Sequence, residues 1–297
     1  MATILAYVPF NMDSIDLYSS TRGEPTYAFQ DNQGLDVAGV TYSDIFEVDW
    51  NYGDSFGEYA GPDLVVDVGN GTMVAGTITG FAVGRNSGGT STYDYAIHGV
   101  AVPAADLEDA IWSPGVEDDL AVAQAMLSKA DTFILSYGDD LARAFGGNDA
   151  MQGQDGHDRL YGGKGNDNLK GQNGNDQLDG EEGKDVLTGG RGNDTFVFAS
   201  PKEAGDRITD FHDRNGDNDA ILLDRAGFRG GLGGRLQDDQ FQISDTNQAE
   251  DRDVRVIFCT RNETLWFDKN GSKAGGLSLI ADLQASADLT HQDILLV

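Results

Sequence analysis

The sequence predicts a mainly β protein in three parts. Two observations carry that expectation: a nine-residue period that runs without a slip from Gly146 to Val197, and short apolar runs with period-two alternation on either side of it. The parts are an N-terminal β-rich domain with a helical end over residues 1–138, a parallel β-roll over 139–198, and a C-terminal β-rich cap over 199–297. At 297 residues the chain is long enough for two domains of ordinary size or for a domain joined to a repeat array.

In the first part, Leu64 to Val68 and Met73 to Ile78 alternate around the turn sequence GNGT, which predicts a hairpin. Further strands are expected at Phe46 to Tyr52, Gly80 to Gly84 and Tyr93 to Val102. After Pro103 the period changes. Asp106 to Trp112 fits a short helix, and Leu120, Ala123, Met126 and Leu127 place an apolar stripe on a second one, read as core packing. Tyr93, Tyr95 and His98 read as strand packing residues rather than haem ligands. The carboxylates Glu58, Asp63 and Asp67 form no distinctive acid/base pattern in a chain so rich in acid.

The second part is written in units GNDAMQ, GQDGHDRLY, GGKGNDNLK, GQNGNDQLD, GEEGKDVLT and GGRGNDTFV. Asp149, Asp158, Asp167, Asp176, Asp185 and Asp194 fall nine apart, and so do Met151, Leu160, Leu169, Leu178, Leu187 and Phe196 two places later. Within a unit, six residues are expected to turn and three to form a strand whose apolar residue points inward. Glycines at the first and fourth positions allow backbone conformations and close approaches that a Cβ forbids. Two units make one coil, so each turn stacks on the turn eighteen residues away. That pairs Asp149 with Asp167 and Asp167 with Asp185 on one edge, and Asp158 with Asp176 and Asp176 with Asp194 on the other. Each Asp aims its carboxylate at the gap between stacked turns, where backbone carbonyls also converge. Those of Gly147, Gly156, Gly165, Gly174, Gly183 and Gly192 are the candidates. A cage of hard oxygens suits calcium rather than zinc or copper, and the pairs predict about four ions or more.

The bulk composition agrees. Lys and Arg total 20 against 50 Asp and Glu, a net charge of −30, which excludes nucleic acid and an anionic membrane as partners and makes cations the natural counterpart. With Cys259 as the single cysteine, no intrachain disulfide can staple the fold, and bound metal is the substitute. The start lacks a basic segment followed by a long apolar run, so no cleaved signal peptide is expected, and no apolar stretch reaches the roughly 18 residues of a membrane span.

The repeats resemble the RTX family, the hemolysin-type calcium-binding repeat proteins of Gram-negative bacteria. GDRITDF at Gly205 to Phe211, then DNDAILLD, LWFDKNGS and the final DILLV are similar to the β-rich cap that follows the repeats in serralysin-type proteases. The resemblance implies calcium in the roll and export to the extracellular space by a type I secretion machinery that reads an uncleaved C-terminal signal. Asp293 followed by Ile294, Leu295, Leu296 and Val297 is similar to that signal's ending. The protease and lipase chemistries of the family are not implied, because neither HExxH nor GxSxG occurs, and His98, His157, His212 and His291 are scattered.

Secondary candidates lie in the cap. Asp206 and Asp210 are placed to close the last turn of the roll. Asp213, Asn215, Asp217 and Asp219 alternate around Gly216 as in EF-hand-like calcium loops, although Asp224 rather than Glu stands at the twelfth position. Asp268 and Asn270 form a shorter turn of the same kind. The expected function is that of a secreted calcium-binding protein, not an enzyme, that folds on meeting calcium outside the cell. Residues 1–138 then meet a cell surface or polysaccharide partner. The alternatives are a small polymer-degrading enzyme with its site in residues 1–138, and a structural component of a surface layer or matrix.

Overall fold

The computed structural model describes residues 123–297 except 126, 204, 215, 216, 230, 231, 274, 285 and 286. Before residue 123 it describes the backbone of the strands between Thr3 and Pro103. Two compact units are present, residues 1–137 and 138–297.

In the first unit a sheet runs in the order Thr26–Gln30, Asp44–Trp50, Ser55–Gly61, Thr77–Ser87, Thr90–Pro103, Thr3–Ala6 and Thr132–Ile134. All neighbours are antiparallel except the last pair. The expected hairpin is present, with Val65–Asp67 antiparallel to Thr72–Ala75. Two of the expected strands run longer than their alternation suggested, as Thr77–Ser87 and Thr90–Pro103, because cross-strand pairing continues through polar positions that alternation does not mark, while the third is Asp44–Trp50 rather than Phe46 to Tyr52. Asp106 to Trp112, Leu120 and Met126 lie outside the described residues, as do the side chains of Glu58, Asp63, Asp67, Tyr93, Tyr95 and His98. Ala123 and Leu127 are buried as the apolar stripe required, joined by the helical hydrogen bond from Leu127 N–H to the Ala123 carbonyl at 3.0 Å.

The second unit is a parallel β-solenoid. One of its sheets stacks Leu141–Arg143, Arg159–Gly165, Gln177–Gly183, Thr195–Phe198, Ala220–Leu223 and Ile294–Leu296, each parallel to the next. The facing sheet stacks Ala150–Asp155, Asn168–Asn173, Val186–Arg191, Asp206–Ile208 and Leu277–Leu283, also in parallel. Register is eighteen residues: Met151 opposes Leu169, Leu169 opposes Leu187, and Leu160 opposes Leu178. The inward column of Met151, Leu160, Leu169, Leu178, Leu187 and Phe196 is fully buried. At roughly 25 cal/mol per Å² of apolar surface, such a column stabilises each added coil, but the strip is one side chain wide.

Two boundaries differ from the sequence reading. Strands within the repeats span six or seven residues rather than three, since ladder pairing continues round the glycine turn, with Gly163 opposite Glu181 and Gly165 opposite Gly183. The solenoid also does not stop at residue 198. Ile208 stacks on Leu187 and Ile221 on Phe196, at offsets of 21 and 25 residues that the nine-residue period cannot reveal. The final strand, Ile294–Leu296, is a member of the roll, paired with Ile221–Leu223. Beyond Leu277–Leu283 the facing sheet turns antiparallel through Thr264–Asp268 and Val256–Cys259. These bury Leu265, Phe267, Val256 and Ile257, and Phe228 meets Phe267 edge-on at 5.2 Å. Among the described residues no helix is long and apolar enough to cross a membrane.

Candidate metal centre

The repeat aspartates form two columns, one on each edge of the roll, and each carboxylate holds the turn before it. Asp167 Oδ1 accepts the Asp149 N–H at 2.7 Å, Asp185 Oδ1 accepts the Asp167 N–H at 2.7 Å, and Asp206 Oδ1 accepts the Asp185 N–H at 2.9 Å. On the other edge Asp158, Asp176, Asp194 and Asp219 accept in the same way from Asp140, Asp158, Asp176 and Asp194, at 2.9 to 3.0 Å. All of these aspartates are 3% exposed or less.

The second oxygen is different. Oδ2 of Asp158, Asp167, Asp176, Asp185 and Asp194 is buried with no hydrogen-bond partner. A charge in that position costs several kcal/mol unless something pairs with it. Burial accordingly pushes the carboxyls upward, to about 8 for Asp158, about 6 for Asp176 and about 7 for Asp194, against the opposing pull of the backbone N–H each one accepts. Asp167 shifts in the same direction for the same cause, as do Asp185, to which the Asp167 charge adds, and Asp206, to which the Asp185 charge adds.

The first-position glycines explain where the missing charge would sit. A Cβ on Gly153 would lie 2.3 Å from Asp158 Oδ2 and 2.7 Å from the Gly171 carbonyl oxygen. On Gly162 it would lie 2.5 Å from Asp167 Oδ2 and 2.9 Å from the Gly180 oxygen, and on Gly171 it would lie 2.2 Å from Asp176 Oδ2 and 2.7 Å from the Gly189 oxygen. Each such point is a small oxygen-lined recess between a turn and the next, which only glycine leaves open. Among the described residues no three His, Cys, Asp or Glu side chains gather at one point, so backbone carbonyls must supply most of any coordination shell. An unpartnered carboxylate oxygen facing a backbone carbonyl oxygen fits calcium.

The fourth-position glycines nominated from sequence do a related but distinct job. The Gly147 oxygen lies 1.4 Å from where a Cβ on Gly165 would stand, and Gly165 has φ of 131°. The carbonyls of Gly156, Gly165 and Gly174 lie against Gly174, Gly183 and Gly192 in the same manner. These carbonyls run beside the Oδ1 line: the point above Gly156 is 3.0 Å from Asp158 Oδ1, and that above Gly183 is 2.9 Å from Asp185 Oδ1. The carbonyls that share a recess with Oδ2 are those of Gly171, Gly180 and Gly189, which sequence reasoning did not single out.

Two other residues were missed. Asp140 and Asp131 are buried and keep the nine-residue phase, with Ala142 and Phe133 fully buried two places later. Spacing alone would have found them. Their units, LSYGDDLAR and MLSKADTFI, lack most of the glycines, which hid the pattern.

In the cap, Asp206 and Asp219 join the columns. Asp219 does so as a roll residue, its Oδ1 accepting the Asp194 N–H at 3.0 Å and its Oδ2 the His212 N–H at 2.8 Å. Asp213 and Asp217 stand on a two-residue antiparallel pair whose side chains, like all of Asn215, lie outside the described residues. Asp224 is turned away to accept the Ala226 N–H at 2.7 Å. Asp210 accepts the Gly189 and Gly190 N–H groups at 3.0 and 2.9 Å, one through each oxygen, and so anchors that turn. Asp268 and Asn270 close their own turn through the Asn270 N–H at 2.9 Å.

The repeat pattern agrees with a known family model. A family model, the RTX calcium-binding nonapeptide repeat (4 copies), matches residues 128–160 and 161–196. The solution structure of a subunit of the Azotobacter vinelandii mannuronan C5-epimerase is similar at 26% identity, over 57% of this chain and 78% of that one, with a TM-score of 0.31. No curated protein matches. The repeat match starts at residue 128, in the glycine-poor units that hold Asp131 and Asp140. Residues 128–196 therefore carry the RTX calcium-binding nonapeptide repeat.

Proposed function

We propose that this calcium-binding repeat protein is exported by a type I machinery and folds outside the cell, where residues 1–138 act as a non-enzymatic module that meets a surface or polysaccharide. The observation that carries the folding part is the line of buried Oδ2 atoms without a partner. When bound, calcium supplies the positive charge those atoms need. The chain's own residues do the rest. Without that charge, closely stacked carboxylates oppose the stacking of turns, and the chain stays open enough for a narrow exporter. Extracellular calcium near millimolar exceeds the roughly 0.1–1 mM affinity typical of extracellular modules. At tenfold excess one site contributes only about 1.4 kcal/mol, so several sites must act together.

Circular dichroism of the purified chain during a calcium titration tests the folding step. A cooperative gain of β signal below several millimolar is expected, and an unchanged spectrum overturns it. Co-expression with a type I exporter tests the route: the full chain should appear outside the cell, and a chain lacking Asp293 to Val297 should stay inside. Equal export of both refutes the C-terminal signal. For the N-terminal module, sedimentation of residues 1–138 with cell envelopes or insoluble polysaccharide should exceed that of residues 138–297. Equal sedimentation removes that assignment.

A further inference from the structure

Next to the repeat aspartates, Asp185 excepted, stands a second side chain that reaches the opposite way. Asp139 Oδ1 accepts the His157 N–H at 2.7 Å, His157 Nδ1 accepts the Asn175 N–H at 2.8 Å, Asn175 Oδ1 accepts the Asn193 N–H at 2.8 Å, and Asn193 Oδ1 accepts the Asn218 N–H at 2.8 Å. On the other edge Asn148 Oδ1 accepts from Asn166 at 2.8 Å and Asn166 Oδ1 from Lys184 at 2.9 Å. There the ladder ends, since an ammonium group cannot accept.

We propose that these fifth-position side chains are a charge-independent clamp that sets the spacing of stacked turns, making Asn148, His157, Asn166, Asn175 and Asn193 positioning residues for the calcium column. The inference rests on the calcium reading above. Its argument is directional. A fifth-position acceptor takes an N–H from the turn after it, whereas the neighbouring Asp takes one from the turn before it. Each interface between turns, except the one that follows Lys184, is therefore tied by two side chains pulling in opposite directions on adjacent backbone groups. Repeats that are nearly alike carry little register information of their own, because Leu stacks on Leu at any multiple of eighteen. The carboxylate half of the tie is opposed by buried charge, while the asparagines of the other half, Asn148, Asn166, Asn175 and Asn193, carry no charge to oppose it. The clamp holds the recess at the width the Oδ2 atoms and carbonyls require before any ion arrives.

The test compares the full-length parent with Asn175→Ala, His157→Ala, His157→Asn and a control, Asn168→Ala, at an exposed sheet position outside the ladder. Two measurements are made: the calcium midpoint by calorimetry, and amide hydrogen exchange in saturating calcium. Loss of one hydrogen bond should raise the midpoint about two- to tenfold in the two ladder-breaking Ala variants. His157→Asn, which restores an acceptor, should stay near the parent. Asn175→Ala should lose protection at the Asn193 amide while keeping it at the Asp194 amide, a split that general destabilisation does not produce. Equal midpoints for Asn175→Ala and Asn168→Ala, or parallel loss at both amides, overturns the clamp while leaving calcium binding in place. A parent that does not respond to calcium overturns both.

Discussion

The recess between turns can be filled from within by a single methyl group. In Gly171→Ala the new Cβ would stand 2.2 Å from Asp176 Oδ2, 2.7 Å from the Gly189 oxygen and 2.8 Å from Asp176 Cβ, where about 3.5 Å is the closest comfortable approach. These neighbours are held, the carboxylate by the Asp158 N–H at 2.9 Å and Gly189 by its place inside the strand Val186–Arg191. Something must move by about 1 Å, and overpacking of this kind costs about 1–3 kcal/mol. The displaced carboxylate also no longer faces the Gly189 carbonyl, so one ion is lost, a further loss of about 1.4 kcal/mol at tenfold calcium excess. The expected total is about 2–4 kcal/mol in calcium, with the metal-dependent share absent in chelator. Gly146→Ala is the control, since its Cβ would meet nothing closer than 3.7 Å. Urea unfolding in calcium gives the energies, and calorimetry gives the number of ions bound. If Gly171→Ala unfolds at the same urea concentration as Gly146→Ala and binds as many ions, the recess is not the calcium site.

Three further outcomes follow from the same geometry. Asp210→Ala removes a carboxylate that accepts two backbone N–H groups, so it should destabilise the roll by about 1.5–3 kcal/mol while calorimetry finds the ion count unchanged; a lost ion would make Asp210 a ligand after all. In calcium-free protein the folded carboxyls of Asp158, Asp176 and Asp194 lie at about 8, 6 and 7, above the 3.8 they return to on unfolding. The folded chain thus holds more protons. This contribution to stability is complete below about pH 4 and is lost as pH rises through 6 to 8. Acid should therefore favour the metal-free roll and compete with calcium, so the calcium midpoint read by circular dichroism should rise as pH falls from 8 to 6, and a flat midpoint contradicts the burial of these groups. A chain ending at Phe198 loses the strands Ala220–Leu223 and Ile294–Leu296 that cover Thr195–Phe198, and it should gain little β signal with calcium. Full folding of that fragment would show that the cap is dispensable.

Much of the metal centre was legible in the sequence because a solenoid turns linear spacing directly into stacking distance. Nine residues per half coil places Asp176 against Asp158 and Asp194 without reference to any other part of the chain, and puts Leu160, Leu178 and Phe196 in one buried column. Glycines at the first and fourth positions were also legible as a requirement. Their division of labour was not, since it depends on which carbonyl shares a recess with which carboxylate oxygen. Alternate acidic residues around Gly216 leave open where each side chain goes, and of these Asp219 went to the roll.

The sequence by itself determined the period, the identity of the repeat ligands and the kind of ion they suit, because these follow from contacts between residues a constant distance apart. Only the tertiary structure decided where the roll ends. Insertions that lengthen the offset from 18 to 21 and 25 residues erase the period, yet Ile208, Ile221 and Ile294 still continue the buried stack, and Asp206 and Asp219 still close the two columns. Stacking depends on shape and hydrogen bonding at the growing edge, not on the length of chain looped out between coils.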